Sequence, residues 1–162
     1  MSALMSLPLT VLAPVAGTIV AMADVSDPVF AGEIVGPGLA IDPSRDGTVT
    51  AIAPVSGKLV KLHPHAYVIV AEVAKQDVRG VLVHLGIDTV ELAGEGFTLH
   101  VTEGDTVAAG DAVVSWDPSD VEAEGRSPIC PVVALEGKSE SITRLGAPGS
   151  VIRAGDPLIE WA

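Results

Sequence analysis

The stretch APVAGTIV at residues 13–20 recurs as APVSGKLV at residues 53–60. A second pair of similar segments lies at residues 101–116 and 151–161. The first has two Gly-Asp pairs and the second has one, and each continues into a hydrophobic run that ends in tryptophan. Gly-Asp pairs are typical of turns, since glycine supplies positive φ and aspartate bonds to nearby backbone amides. The spacing is not fixed, which excludes stacked repeats. The pattern predicts a duplicated β unit, and so an all-β fold with two pseudosymmetric halves.

The composition also favours strands and turns over helices. Hydrophobic residues make up 48% of the chain but aromatic residues only 3%, so a core must be built from Val, Ile, Leu and Ala. One segment, DPSDVEAE at residues 117–124, has the proline and acidic residues of a helix start. No stretch resembles a linker. We therefore expect residues 1–162 to form a single antiparallel β sandwich or barrel with little helix, and residues 1–9 to be flexible.

The charge and the cysteine content restrict the partners and the compartment. The formal net charge of -12 argues against nucleic acid as a partner, because a negative surface repels phosphate backbones. The charge is consistent either with a basic protein partner or with a role in solubility alone. A single cysteine, Cys130, cannot form an internal disulfide, which suits a reducing compartment. Residues 1–10 are a poor match to a signal peptide, because no basic residue precedes their apolar stretch. No apolar run approaches the roughly 20 residues that a membrane span needs. We expect a cytoplasmic protein without membrane insertion.

The histidines are the natural candidates for chemistry, because imidazole is a nucleophile and a base near neutral pH. Most histidines in proteins have no such role, and we expect His100 to be an ordinary surface residue. The four histidines of the chain are His63, His65, His84 and His100.

His84 stands near the end of a hydrophobic run, VLVHLG at residues 81–86, that is typical of a buried strand. Because side chains alternate along a strand, Leu82 shares a face with His84 while Leu85 points to the other face. A polar ring at the end of such a strand must have its nitrogens hydrogen-bonded or take part in chemistry. Gly86 then ends the strand. His84 is therefore the first candidate for a reactive residue.

A second histidine, His65, opens another apolar run at residues 65–73. The polar loop at residues 75–77 separates the two runs, which predicts a hairpin that brings both imidazoles to one surface. A symmetric turn centred near Asp77 leaves His65 and His84 out of step, so their pairing requires an asymmetric loop or a bulge. The register stays open at this stage.

The segment HLGIDTVELAGEGF at residues 84–97 resembles the signature around the phosphorylated histidine of glucose-type IIA proteins, from the bacterial sugar phosphotransferase system. HAY at residues 65–67 is similar to the family's second active-site histidine segment, and residues 13–17 are similar to its opening strand. Further similar segments lie at residues 27–30, 34–41 and 131–133. The resemblance covers nearly the whole chain.

This resemblance implies an antiparallel β sandwich and a phosphotransferase with a phosphohistidine intermediate. Members of the family accept a phosphoryl group from the histidine-containing phosphocarrier protein and pass it to a cysteine on the IIB domain of a sugar permease. Carried over, His84 would be phosphorylated, His65 would stabilise the phosphoryl group and Asp88 would belong to the same site. The apolar surround that docks partners would come from Phe30, Leu82 and Leu85. Regulatory binding to other proteins would use the same surface.

For such a transfer we expect a neutral ring nitrogen of His84 to attack phosphorus while the other nitrogen donates to a backbone carbonyl. His65 would donate to a phosphoryl oxygen. Asp88 would either keep the donor and product states close in free energy or simply form a turn after Gly86. His63 stands where relatives often carry a hydroxyl residue, and we expect it to tune the site.

Two alternatives come from other classes of protein. A zinc hydrolase on a related β fold would use His63, His65, His84 and Asp88 as metal ligands or catalytic groups. A biotinyl or lipoyl carrier would need an exposed lysine in a tight hairpin, a setting that none of the lysines has. We expect no obligatory cofactor, although zinc could bind incidentally at His65 and His84 with a partner's carboxylate. The sugar and the oligomeric state stay open.

Overall fold

A computed structural model describes residues 8–162, which form fourteen β-strands and two short α-helices. We expected residues 1–9 to be flexible, and residues 1–7 of that segment lie outside the described residues. Leu9 begins the first strand and pairs with Trp161. The strands are β1 Leu9–Leu12, β2 Gly17–Ala21, β3 Gly38–Pro43, β4 Val49–Ile52, β5 Gly57–His63, β6 Ala66–Ala74, β7 Asp77–His84, β8 Thr98–Leu99, β9 Thr106–Val107, β10 Ala112–Trp116, β11 Cys130–Ala134, β12 Ile142–Arg144, β13 Val151–Ile152 and β14 Pro157–Trp161. The helices are α1 Pro28–Ala31 and α2 Pro118–Ala123, and single 3₁₀ turns span Met22–Asp24, Thr89–Leu92 and Ser139–Ser141.

The strands pair antiparallel in three sheets. One sheet has eight strands in the order β13-β2-β3-β11-β7-β6-β5-β9, and two smaller sheets have the orders β1-β14-β12 and β4-β10-β8. The core contains Ile41, Ile69 and Val83 from the large sheet together with Val113 and Leu158 from the small sheets, all fully buried. This arrangement is the β sandwich that the sequence predicted. Its core is mainly aliphatic, as expected, but it also encloses the rings of Tyr67 and Trp116. None of the helices within residues 8–162 is long and apolar enough to cross a membrane.

The two copies of the repeated motif occupy equivalent places in the two halves. Gly17 in β2 pairs with Ile152 in β13, and Gly57 in β5 pairs with Val107 in β9. Two reciprocal hydrogen bonds join the halves, from the N–H of Leu12 to the carbonyl of Pro54 at 2.9 Å and from the N–H of Ile52 to the carbonyl of Pro14 at 3.0 Å. The predicted pseudosymmetry is therefore present in the backbone hydrogen bonding.

The Gly-Asp turns share one geometry. Each glycine has a φ between 91° and 98°, which side chains with a Cβ rarely adopt, and each aspartate side chain accepts a hydrogen bond from the N–H three residues before it. These bonds run from Thr102 to Asp105, from Ala108 to Asp111 and from Arg153 to Asp156. The turn chemistry expected from the sequence is confirmed.

The predicted helix at residues 117–124 is present as α2, and the Asp117 side chain caps its first turn by accepting from the Ser119 N–H. Helix α1 was not predicted from the sequence. Its start carries the same signal, because the Asp27 side chain accepts from the Val29 N–H and a proline follows as the first helical residue.

The hairpin of β6 and β7 resolves the open register. The chain turns at residues 75–76, before Asp77, and a bulge in β6 between Glu72 and Ala74 shifts the pairing so that His84 lies opposite Ala66. His65 does not open the strand as expected; it lies with Pro64 in the two-residue turn between β5 and β6. Its carbonyl accepts from the N–H of Leu85 at 2.7 Å, which holds this turn beside the end of β7.

Gly17→Ala and Gly57→Ala should each lower the free energy of unfolding by about 2 kcal/mol. A Cβ at either position would lie 2.1 Å from a carbonyl oxygen of the neighbouring strand, that of Asp42 or Val70, and a paired backbone cannot move away without losing its own hydrogen bonds. Urea unfolding measures the change. Gly80→Ala is the control, since its Cβ would meet only the side chains of Leu135 and Val68, none nearer than 3.4 Å, and a cost as large there would contradict the explanation.

Candidate functional site

His84 ends β7 and is held by one short hydrogen bond. Its Nδ1 lies 2.5 Å from the carbonyl oxygen of Gly86, so the ring takes the tautomer in which Nδ1–H donates and Nε2 keeps its lone pair. Gly86 has a φ of 83°, and a Cβ there would lie 2.7 Å from the Thr89 side chain and 2.9 Å from the Ser127 carbonyl. Only glycine fits this position. The expected backbone partner for the second nitrogen of His84 is thus confirmed.

Three imidazoles lie in a row at this end of the large sheet. The rings of His65 and His84 are 5.2 Å apart between centroids, edge to face, and the His63 ring stacks on His65 at 5.6 Å. The turn at the tip of β5 and β6 therefore brings together the three histidines that the sequence singled out. His100 is not part of this row; it is exposed and its Nε2 lies 2.6 Å from the Ser115 hydroxyl.

Burial keeps the imidazoles of His65 and His84 neutral. Desolvation, together with the neighbouring His84 and His63, lowers the pKa of His65 to about 4. Desolvation also lowers the pKa of His84, although the hydrogen bond to the Gly86 carbonyl and the charges of Asp27 and Asp88 oppose that shift. At neutral pH His84 is therefore an uncharged nucleophile, and His65 is an uncharged group that can donate one hydrogen bond.

Apolar groups surround the His84 ring. The Phe30 ring lies 5.2 Å from it, and Leu82 is half-buried against the same small core cluster as Phe30. Leu85 does not belong to this surround. It directly follows β7, and its side chain points to the opposite side from His84 and is fully buried in the main core, so the expectation that it docks partners is wrong.

Two carboxylates face this site from different segments. Asp88 is exposed in the left-handed conformation, with a φ of 59°, and its side chain makes no capping bond to the turn at Thr89–Leu92. Asp27 caps α1, and its negative charge raises the pKa of His84, as the charge of Asp88 does. Asp88 was predicted from the sequence as a site residue, whereas Asp27 was not. The Asp-Pro start of α1 was the signal that could have located it.

The exposed apolar side chains near these segments are distinct from the core. Val29 in α1 is 41% exposed, Ile34 after α1 is 72% exposed and Val90 after Asp88 is 61% exposed. Exposed aliphatic groups next to functional residues are typical of surfaces that other proteins contact.

The structure offers no ligand set for the zinc hydrolase. Within residues 8–162, no three or more His, Cys, Asp or Glu side chains are grouped closely enough to hold a metal ion. His63, His65, His84 and Asp88 therefore do not form the metal centre that this alternative requires.

Comparison with known proteins identifies the family. The protein-family model described as phosphoenolpyruvate-dependent sugar phosphotransferase system, EIIA 1, matches residues 9–140. The chain belongs to this EIIA family. It is 42% identical over 127 residues to a glucose-specific EIIA component of Oceanobacillus iheyensis, covering 77% of this chain and 73% of that one. It is 44% identical over 121 residues to the corresponding component of Halalkalibacterium halodurans, covering 75% and 67%.

A solved structure and a longer relative extend the comparison. Glucose permease IIA from Mycoplasma capricolum matches with a TM-score of 0.78 and 36% identity, over 94% of this chain and 95% of that one. A glucose-specific EIICBA component of Streptococcus pneumoniae is 41% identical over 137 residues, which are 83% of this chain but 18% of that protein. The EIIA protein described here is thus a phosphotransferase-system phosphocarrier on a β sandwich, and nothing supports the hydrolase.

His65 should make the stability of this EIIA protein depend on pH. The folded state holds the pKa of His65 at about 4, below its ordinary 6.5, so the unfolded chain binds the proton more readily between those values. The free energy of unfolding must then fall as the pH drops from 6.5 to 4.

We expect a smaller fall in His65→Gln than in the wild type, measured by urea unfolding at about pH 7 and about pH 5. Lys75→Gln, at the exposed tip of the β6–β7 hairpin, is the control and should behave like the wild type. An unchanged pH dependence in His65→Gln would show that the ring is not held neutral by burial.

Proposed function

We propose that Nε2 of His84 takes a phosphoryl group from the phosphohistidine of the histidine-containing phosphocarrier protein and passes it to a cysteine of the IIB domain of a glucose-type sugar permease. The bond between Nδ1 of His84 and the Gly86 carbonyl carries this proposal, because it leaves Nε2 as the free nucleophile. In the first step the donor's N–P bond breaks, a new N–P bond forms at Nε2, and the donor imidazole keeps the electron pair. In the second step the cysteine thiolate displaces Nε2 in the same way.

Phosphorylation gives the His84 ring a positive charge, which the site is built to accept. The Gly86 carbonyl is already aligned with Nδ1–H, and a bond from a charged donor is stronger than one from a neutral donor. Asp27 and Asp88 stabilise the same charge through space. Because these groups are fixed before the reaction, little reorganisation is needed during the transfer.

His65 supplies the hydrogen bond that the phosphoryl oxygens require. Its ring lies edge to face with His84 and is neutral at physiological pH, so one ring nitrogen carries a proton that can be donated. Stabilising charge on the equatorial oxygens is the main task in an in-line phosphoryl transfer. His63, stacked on His65, would fix the orientation of that ring and so tune the site.

Apolar side chains around His84 protect the phosphohistidine from water and offer a docking surface to partner proteins. Phe30 and Leu82 shield the imidazole from water, which slows hydrolysis of a phosphohistidine. Val29, Ile34 and Val90 offer exposed apolar area for docking, and the formal charge of -12 favours basic partner surfaces. The fused EIICBA relative supports a permease as the acceptor, since its name joins the A and B components in one chain. We expect the exchange to take place in the cytoplasm.

Two further expectations from the sequence stay predictions. Zinc held incidentally by His65 and His84 needs a carboxylate from a partner, and regulatory binding to other proteins would occupy the same docking surface.

The phosphorylated residue can be identified by mass. We would mix the protein with phosphoenolpyruvate, enzyme I and the histidine-containing phosphocarrier, and expect an acid-labile phosphoryl adduct on the wild type, on His65→Gln and on His63→Gln. His84→Gln should remain unmodified, because it lacks the nucleophilic nitrogen. His100→Gln is the matched control at an exposed histidine. An adduct on His84→Gln, or none on the wild type, would refute the proposed carrier.

The role of His65 should show in the onward step. Starting from phosphorylated protein, His65→Gln should pass the group to a IIB domain about 10²-fold more slowly, since removing one donor to transition-state oxygens typically costs that much. Rapid-quench measurement of labelled IIB gives the rate. A wild-type rate in His65→Gln, with the adduct on His84 intact, would remove His65 from the chemistry and leave the carrier role standing.

A further inference from the structure

Thr89 is a buried polar residue close to the site, and the proposed transfer assigns it no role. It is fully buried at the start of the Thr89–Leu92 turn, and within residues 8–162 no other serine, threonine or charged side chain is buried to this degree. Its hydroxyl donates a hydrogen bond to the carbonyl oxygen of Leu85 at 2.7 Å. A buried hydroxyl committed to one backbone carbonyl holds the chain at that point. Here that point is the residue directly after His84.

The conformational freedom of Gly86 makes such a contact necessary. Glycine permits the φ of 83° at this position but does not impose it, because a residue without a Cβ can adopt many other conformations. The Gly86 carbonyl can accept the hydrogen bond from Nδ1 of His84 only while the peptides on both sides of Gly86 keep their orientation. Other contacts must therefore set the direction of that carbonyl.

Contacts from two segments hold these peptides. The peptide between Leu85 and Gly86 is planar, so the bond from the Thr89 hydroxyl to the Leu85 carbonyl orients the whole unit. The next peptide is held through the N–H of Ile87, which donates to the Ser127 carbonyl at 2.8 Å. The Thr89 methyl group also packs against Gly86, since a Cβ built there would lie 2.7 Å from it. Both branches of the Thr89 side chain thus restrict the turn.

The same peptide unit joins the two histidines of the site. The N–H of Leu85 donates to the His65 carbonyl at 2.7 Å, while the carbonyl of Leu85 accepts from Thr89. Without the hydroxyl, the Leu85 carbonyl would lose this donor. Water cannot readily replace it, because Leu85 and Thr89 are both fully buried. The backbone beside His84 would then relax to find another partner.

We propose that Thr89 is a positioning residue for the phosphoryl transfer, whose hydroxyl holds the peptide after Leu85 so that the Gly86 carbonyl stays in line with Nδ1 of His84. Thr89 is fully buried and acts only through this turn. Without it, the His84 ring would exchange between its two tautomers, and the fraction with a free lone pair on Nε2 would fall. The expected effect on rate rests on the proposed carrier role of His84, whereas the effect on the ring does not.

Two pairs of proteins separate the hydroxyl from the shape of the side chain. Thr89→Val differs from the wild type by a methyl group in place of the hydroxyl, and Thr89→Ala differs from Thr89→Ser by the hydroxyl alone. The second pair gives the same comparison if Thr89→Val does not fold. Val113→Ala, at a fully buried position in β10 of a small sheet, is the control for lost stability without a change at the turn.

The nitrogen signals of the His84 ring report the tautomer. In ¹H–¹⁵N spectra recorded above the pH range in which His84 titrates, the wild type, Thr89→Ser and Val113→Ala should show a protonated Nδ1 and an unprotonated Nε2. In Thr89→Val and Thr89→Ala, both nitrogen signals should move toward the intermediate values of exchanging tautomers. Wild-type ring signals in the variants without the hydroxyl would overturn the proposal, and so would an equal shift in Thr89→Ser or Val113→Ala.

The rate of phosphoryl uptake measures the consequence for transfer. Thr89→Val should accept the group from the histidine-containing phosphocarrier about tenfold more slowly than the wild type, since a small displacement of a reacting group lowers rates by that order or more. Thr89→Ser and Val113→Ala should stay close to the wild type. An unchanged rate in Thr89→Val would overturn the positioning role and leave the carrier role standing. If the wild type itself takes up no phosphoryl group, the carrier role fails, and the ring signals still decide what Thr89 does.

Discussion

The hydrogen bond from Nδ1 of His84 to the Gly86 carbonyl is the constraint on which the site depends. It requires a chain reversal two residues after the histidine, and the positive φ of Gly86 permits that reversal in a space where a Cβ would collide with neighbours. The bond fixes the tautomer of the ring and the direction of Nε2. A glycine thus determines the chemistry of an imidazole without touching any substrate.

The sandwich supplies the rigidity that this geometry needs. Its two halves repeat the same elements, and the repeated glycines at Gly17 and Gly57 allow backbones to pack at a distance that a methyl group would prevent. The core consists mainly of interlocking Val, Ile, Leu and Ala side chains from all three sheets, together with the buried rings of Tyr67 and Trp116. The site lies at the ends of paired strands, where β6 and β7 keep one register from the Ala66–His84 pair to the Glu72–Val78 pair.

Much of this was predictable from local patterns. Strand alternation assigned His84 and Leu82 to one face, and the same rule should have removed Leu85 from the docking surface, since its burial follows directly from that alternation. The start of α1 at Asp27 carried a readable capping signal. The position of His65 was not readable, because it depends on a bulge in β6 and on pairing across the sheet.

The pairing of Leu9 in β1 with Trp161 in β14 has a topological consequence. The polypeptide enters and leaves the sandwich side by side on one small sheet, while His84 belongs to the large sheet. Because Leu9 and Trp161 both lie on that small sheet, a domain joined before the one or after the other is attached to a different sheet from the one that carries His84.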